Sequence, residues 1–201
     1  MDVSAVVLAG GKNLRLGKNK ALETFDGKSL IERVIERIRP LASQILIVTS
    51  QQQSDLTIAG TETVLDLYPD KGPLVGIYTG LAYSRPSHSI MVACDMPFLN
   101  TELLRYMVEL SGDFDAVVPR LEEGKIEPLH AVYSKSCLPV IEERLERNQL
   151  GIHSFFKTVN VRYVERDECQ RLDPELLSFF NVNYQSDLEK AARLAFVDRC
   201  C

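Results

Sequence analysis

Between residues 9 and 20 the chain reads AGGKNLRLGKNK, and four cations, Lys12, Arg15, Lys18 and Lys20, fall within nine positions. No acid interrupts residues 3–22. The adjacent glycines, Gly10 and Gly11, let main-chain N–H groups approach a ligand closely and converge on an anion. Arg15 adds a bidentate fork and Lys20 a compact point charge, both suited to phosphate oxygens. The chain carries a net charge of −5, so removing these four cations leaves the remainder at −9. One short basic loop on an acidic protein suits a small polyanion such as a nucleoside triphosphate. A solvated basic turn would have the same composition.

The loop matches neither of two common phosphate-binding patterns. Five residues rather than four separate Gly11 from Gly17, and Lys18 is followed by Asn19 where a Walker A motif needs Ser or Thr. There is no G-x-G-x-x-G either. Further along, Asp95 follows the apolar run SIMVAC, where a lone carboxylate is costly unless a cation or hydrogen bonds compensate it. A hard oxygen donor there fits Mg²⁺, which takes few protein ligands and completes its shell with phosphate and water. Capping a helix that begins near Thr101 would be the purely structural use of Asp95. Asp66 carries the same ambiguity, since aspartates in turns such as the one before Pro69 are common. Asn183 reads either as an outer metal or phosphate contact or as an asparagine turn. His88, His130 and His153 stand far apart, and no H-E-x-x-H or G-x-S-x-G occurs, so each histidine reads as structural.

These residues need elements to hold them. Residues 3–8 (VSAVVL) and 44–49 (QILIVT) are solid apolar runs and predict strands buried on both faces. Residues 89–94 (SIMVAC) read as another buried strand, and further strand patterns lie at 62–65, the weakest, and at 114–118, 130–133 and 159–164. Ser29 is placed to cap a helix whose Leu30, Ile31, Val34, Ile35 and Ile38 share one stripe, stopped by Pro40. Further helices are expected from Gly72-Pro73 to about Tyr83, and over 101–110, 135–147 and 185–196. Strands alternating with helices predict a three-layer α/β/α sandwich with a mostly parallel sheet. In such sheets ligands sit beyond the carboxyl ends of the strands, which is where the basic loop, Asp66 and Asp95 fall.

The whole-chain properties narrow the class. A chain of 201 residues with no repeats or Pro/Ser-rich linker is expected to be one domain. With the basic loop, Asp66 and Asp95 all in the first half, a nucleotide is expected to bind to about residues 1–100, which leaves about 101–201 for whatever else the site takes. No apolar stretch approaches the roughly 18 residues of a membrane span, and the first residues lack the basic start of a signal peptide. The acidic balance speaks against nucleic acid. Five scattered cysteines without a C-x-x-C pair suit reduced thiols in a cytoplasm, and Cys200-Cys201 lacks the context of a lipidated tail.

The pattern L-A-G-G-x-x-x-R-[LM]-G-x-x-K after the first strand resembles the signature of the MobA-like nucleotidyltransferases, nearest to their molybdenum cofactor guanylyltransferases. The resemblance extends to Leu65-Asp66 with Gly72-Pro73-Leu74-Val75-Gly76, and to Cys94-Asp95-Met96-Pro97-Phe98-Leu99. It continues through Glu127-Pro128-Leu129-His130-Ala131 and Asn181-Val182-Asn183 with Asp187-Leu188. It implies a Rossmann-like fold of the nucleotide-diphospho-sugar transferase type and transfer of GMP from GTP to the terminal phosphate of molybdopterin. Leu8, Ala9, Gly10 and Gly11 would wrap the base and phosphates. Lys20 matches a phosphate-contacting lysine, Asp66 a nucleotide-contacting aspartate and Asp95 the Mg²⁺ ligand, with Arg15 and Lys20 beside the reacting phosphates. Delivery and acceptor proteins of the cofactor pathway are implied partners. Where guanylyltransferases can carry a nucleotide-holding asparagine after the second strand, this chain has Ser50-Gln51-Gln52-Gln53. Cytidylyltransferase relatives look more like L-A-A-G in the first loop. They remain an alternative, together with sugar-phosphate nucleotidyltransferases and a non-catalytic nucleotide-binding module. Arg120, Lys125 and residues 128–133 are candidates for the acceptor side.

Overall fold

The computed structural model describes residues 2–10, 20–54, 56–68 and 71–198. The chain opens with β1 (Val3–Leu8), whose first five residues are all buried. A short hairpin, β2 (Thr24–Phe25) and β3 (Lys28–Ser29), turns through Asp26 and Gly27, both with positive φ, and leads into α1 (Leu30–Ile38). Asp-Gly is the residue pair that such a two-residue turn favours. Ser29 caps α1 as expected. Its Oγ accepts from the Glu32 N–H at 3.4 Å, and the Glu32 carboxylate accepts from the Ser29 N–H at 2.8 Å, a reciprocal capping box. The Ser29 hydroxyl, which donates to Glu32 Oε2 at 2.6 Å, together with the Ser29 N–H holds the Glu32 carboxyl below its usual range.

The chain continues through β4 (Gln44–Thr49), β5 (Glu62–Leu65), α2 (Pro73–Tyr83), β6 (His88–Ala93) and α3 (Thr101–Leu110). It then forms β7 (Ala116–Glu122), β8 (Lys125–Ile126), β9 (His130–Ser134), α4 (Cys137–Glu146) and α5 (Ile152–Phe155). It closes with β10 (Val161–Glu165), α6 (Arg166–Leu172) and α7 (Gln185–Asp198). Gly72 caps α2 at φ 91°, a conformation that favours glycine, and Pro73 supplies a preset first helical residue.

One sheet runs β10-β7-β9-β6-β1-β4-β5, with β8 paired to β7. β9 pairs antiparallel with both neighbours, while the β6–β1–β4–β5 and β7–β10 pairs are parallel. The expected mostly parallel sheet is therefore present, with β9 reversed. Val3, Ala5, Val7, Ile90, Val92 and Val132 face α1, α3 and α6. Val6, Leu46, Val48, Met91, Ala131 and Tyr133 face α2, α4 and α5. Alternate residues of buried strands thus fill two cores, and the architecture is a three-layer α/β/α sandwich. A third, smaller cluster joins Phe25, Leu30 and Val182 to Ala191 and Ala195 of α7. The helices α5 and α6, the hairpin β2–β3 and the strand β8 lie outside the predicted elements, being short. The strand expected over 114–118 starts at Ala116 and runs to Glu122.

Cys94, Cys137 and Cys169 are buried and free, and burial pushes each thiol up to about 12, so they remain protonated. Among the described residues no helix is long and apolar enough to cross a membrane.

Two glycines let α2 approach the sheet. A Cβ on Gly76 would meet the Leu8 side chain at 3.2 Å, and one on Gly80 would meet Val6 Cγ1 at 2.6 Å and Met91 Cε at 3.1 Å. Val6 and Met91 are fully buried, and the β-branched Val6 has little rotamer freedom with which to yield. Overpacking of this kind costs about 1–3 kcal/mol, against a gain of about 1 kcal/mol from removing a mid-helix glycine. Gly80→Ala is therefore expected to be destabilising by roughly 1 kcal/mol. The midpoint of urea unfolding should fall with its slope unchanged; a raised midpoint would contradict this packing.

Candidate active site

The carboxyl ends of β1, β4, β5 and β6 lie side by side, and the residues beyond them are stitched together by backbone bonds. The Ala9 N–H donates to the Val48 carbonyl at 2.8 Å and the Asp66 N–H to the Thr49 carbonyl at 2.8 Å. The Cys94 N–H donates to the Leu8 carbonyl at 3.2 Å. Leu8 and Ala9 are thereby fixed between β4 and β6, and Gly10 follows at the surface. A Cβ on Gly10 would come within 3.2 Å of the Ser50 nitrogen and 3.3 Å of the Thr49 carbonyl carbon. The close approach to backbone, which has little room to yield, is the local reason for glycine there. Gly11 and Arg15 lie outside the described residues.

Lys20 begins a single 3-10 turn (Lys20–Leu22), and its Nζ sits 2.6 Å from Asp95 Oδ2 and 2.9 Å from Asn183 Oδ1. The Lys20 and Asp95 side chains are only 15% and 17% exposed. Asp95 lies in the turn that follows β6 rather than on the strand itself, because β6 ends at Ala93. It does not cap α3. That place belongs to Asn100, whose side chain accepts from the Leu103 N–H at 3.0 Å. The Asp95 carbonyl accepts from the Val182 N–H at 2.9 Å, which brings the segment before α7 onto the site. Asp95 Oδ1 is buried and has no hydrogen-bond partner among the described residues. An orphaned carboxylate oxygen beside a cation is a costly arrangement unless something else occupies it when the protein works.

Asp66 is held on the other flank. Its Oδ1 accepts from Thr79 Oγ1 of α2 at 2.8 Å and from the Tyr68 N–H at 3.4 Å. Thr79 Oγ1 in turn accepts from the Leu67 N–H at 3.1 Å, so both readings of Asp66 meet here: a local turn and a carboxylate at the sheet edge. Three strand spacings separate β5 from β6 in the order of the sheet, about 14 Å at the usual interval. A nucleoside triphosphate can lie along such a row with its base and phosphates at opposite ends.

A model of the MobA-like NTP transferase domain matches residues 5–165. The chain belongs to the MobA-like NTP transferases. It is 40% identical to a probable molybdenum cofactor guanylyltransferase of Methanosarcina mazei, over 92% of this chain and 88% of that protein. It is 36% identical to the molybdenum cofactor guanylyltransferase of Desulfosudis oleivorans, over 94% of each chain. Among solved structures it is similar to molybdopterin-guanine dinucleotide biosynthesis protein A of Archaeoglobus fulgidus. That similarity has a TM-score of 0.82 and 29% identity, covering 96% of this chain and 99% of the other. A 2-C-methyl-D-erythritol 4-phosphate cytidylyltransferase of Thermus thermophilus shares the fold at 18% identity, with a TM-score of 0.71 over 98% of this chain and the whole of the other. These structural similarities bear out the expected fold of the nucleotide-diphospho-sugar transferase type.

Within this transferase the acceptor-side expectations fare unevenly. Residues 130–133 are closed into the core, with the Tyr133 hydroxyl donating to the Pro128 carbonyl at 2.8 Å. That stretch therefore offers no side chain to a ligand, because β9 is covered on both faces. Arg120 is already engaged: its guanidinium pairs with Glu165 and lies 4.6 Å from the Tyr163 ring centre. After β4, Ser50 precedes a 3-10 turn, Gln51–Gln53, at whose start it makes no side-chain capping bond.

His130 bears out the structural reading. It is fully buried against Phe179, with ring centres 4.8 Å apart, and neither ring nitrogen has a partner among the described residues. Burial lowers its pKa from 6.5 to about 3, so the ring is neutral in the folded protein at ordinary pH. In the unfolded chain it takes up a proton below about 6.5, while the native protein does so only near 3. Stability associated with this residue is complete above pH 6.5 and is lost as the pH falls, by about 1.4 kcal/mol per unit. His130→Leu should remove that component. The gap in urea midpoint between pH 7 and pH 5 should shrink relative to wild type, and an unchanged gap would mean that the ring is not desolvated.

Proposed function

We propose that the protein transfers GMP from GTP to the terminal phosphate of molybdopterin, releasing pyrophosphate and forming the guanine dinucleotide. The observation that carries this reading is the meeting of Lys20, Asp95 and Asn183 where the glycine-containing strand end of β1 lies beside β6. Leu8, Ala9, Gly10 and Gly11 supply main-chain groups to the base and phosphates, and Asp66 contacts the nucleotide at the far end of the row. Names of relatives that describe guanylyltransferases support GTP and molybdopterin as substrates. A cytoplasmic setting and pathway proteins that deliver and accept the cofactor accord with that chemistry.

The reaction is an in-line displacement. An oxygen of the acceptor phosphate forms a bond to the α-phosphorus while the bond from that phosphorus to the bridging oxygen of pyrophosphate breaks. The acceptor phosphate is already anionic at neutral pH, so no general base is needed. The difficulty is electrostatic, since two anions must meet and charge accumulates on the leaving group. Lys20, held by Asp95 and Asn183, opposes that charge, and Arg15 and the loop N–H groups are further donors toward it. The orphaned Oδ1 of Asp95 fits a divalent cation. No group of three or more His, Cys, Asp or Glu side chains forms a metal cage among the described residues, and Mg²⁺ suits such a sparse donor set because substrate phosphate and water complete its shell. When bound, the ion would neutralise phosphate charge and help to align the triphosphate.

Incubation with α-labelled GTP, Mg²⁺ and molybdopterin should yield a labelled dinucleotide; unlabelled product, or label in another compound, would remove the assignment. Asp95→Ala should lower turnover by at least about a hundredfold while the circular dichroism spectrum is retained. Full turnover by that variant would show that Asp95 does not take part. Across the four triphosphates with Mg²⁺, GTP should give the largest rise in melting temperature, and equal shifts would defeat the choice of guanine.

A further inference from the structure

We propose that Asp187 is a positioning residue for the transfer reaction, acting through Asn183 on Lys20; this inference rests on the reading above. A single carboxylate oxygen, Asp187 Oδ2, accepts from the N–H groups of both Asn183 and Tyr184, each at 2.9 Å. The return bonds run from the Asp187 N–H to the Tyr184 carbonyl at 3.0 Å and from the Leu188 N–H to the same carbonyl at 3.2 Å. The first turn of α7 thus closes on the two residues before it. On the other side the Val182 N–H is fixed to the Asp95 carbonyl at 2.9 Å, and the Val182 side chain is packed against Phe25 and Leu30. The backbone of Asn183 is therefore clamped from both directions, and its Oδ1 is held 2.9 Å from the Lys20 ammonium.

The clamp matters because a lysine side chain is long and rotamer-rich. With Asp95 as its sole acceptor, Lys20 would neutralise the carboxylate whenever the site is empty and would have no fixed place once phosphate and cation compete for that carboxylate. Asn183 is a second acceptor that carries no charge. It holds the ammonium without competing electrostatically with the phosphates. An acid in the first turn of a helix is favourable in any protein. What sets Asp187 apart is that one of the N–H groups it binds belongs to Asn183 itself, so helix capping and site geometry depend on the same bond.

A double-mutant cycle on Asp187→Ala and Asn183→Ala, read as the dissociation constant of a ribose-labelled fluorescent GTP, tests this. Each single variant should bind about tenfold more weakly, and the double variant no more weakly than the poorer single one. Asp187→Asn keeps an oxygen acceptor and should return affinity to within about twofold of wild type. Asp187→Ser retains a polar first turn but is too short to reach both N–H groups, and should lose affinity like the alanine variant with the fold retained. Effects that multiply in the double variant, or an Asp187→Ala variant that melts lower yet binds GTP as wild type does, would overturn the proposal and leave the assigned function standing. Failure of the wild-type protein to bind GTP would instead remove the function, and this inference with it.

Discussion

The contact between the Lys20 ammonium and the Asp95 carboxylate, 2.6 Å apart, is the constraint around which the sheet edge is organised. Its partners are 75 residues apart in sequence and both are more than four-fifths covered. Removing two charges from water offsets most of their attraction, so such a pair contributes little net stability unless its remaining atoms are satisfied. Here one oxygen of Asp95 is left without a partner among the described residues. On the proposed function the arrangement is stored binding capacity rather than a stabilising contact: the fold keeps a cation and an anion side by side where the triphosphate would be handled.

Holding that pair requires three separate parts of the chain to arrive together. β1 and β6 are adjacent parallel strands, so the loop that carries Lys20 and the turn that carries Asp95 leave the sheet at the same edge. The third part is the segment before α7, anchored through Val182 to Asp95 and to the small cluster around Phe25 and Leu30. Small residues make the approach feasible. Gly10 lies against the end of β4, and Gly76 and Gly80 let α2 settle onto Leu8 and Val6. A bulkier side chain at Gly10 or Gly80 would displace backbone or fully buried core atoms rather than a flexible surface group.

Much of this was legible in local patterns. The solid apolar runs at 3–8 and 44–49 are strands because only a sheet covered on both faces buries every residue. The apolar stripe of α1 and its Ser29 cap were readable for the same reason, since periodicity and capping are nearest-neighbour chemistry. Lys20 and Asp95 stood out through their placement after strand ends. The hairpin β2–β3 had a readable signal in Asp26-Gly27, but two-residue strands are too short for periodicity to register. The acceptor-side segment 128–133 was less legible, because a polar residue such as Tyr133 in a strand pattern gives no sign of which layer will cover it.

The order and type of the residues by themselves determined the longer secondary elements, the three-layer class and the strand ends at which the candidate residues fall, because hydrophobic spacing and glycine-rich turns act over a few residues. Strand direction is invisible to that signal. A buried strand reads the same forwards and backwards, so the reversal of β9 emerged only in the assembled sheet. The joining of Lys20 to both Asp95 and Asn183 was likewise a tertiary decision. Contacts across 75 and 163 residues depend on how whole layers pack, and no local pattern carries that distance.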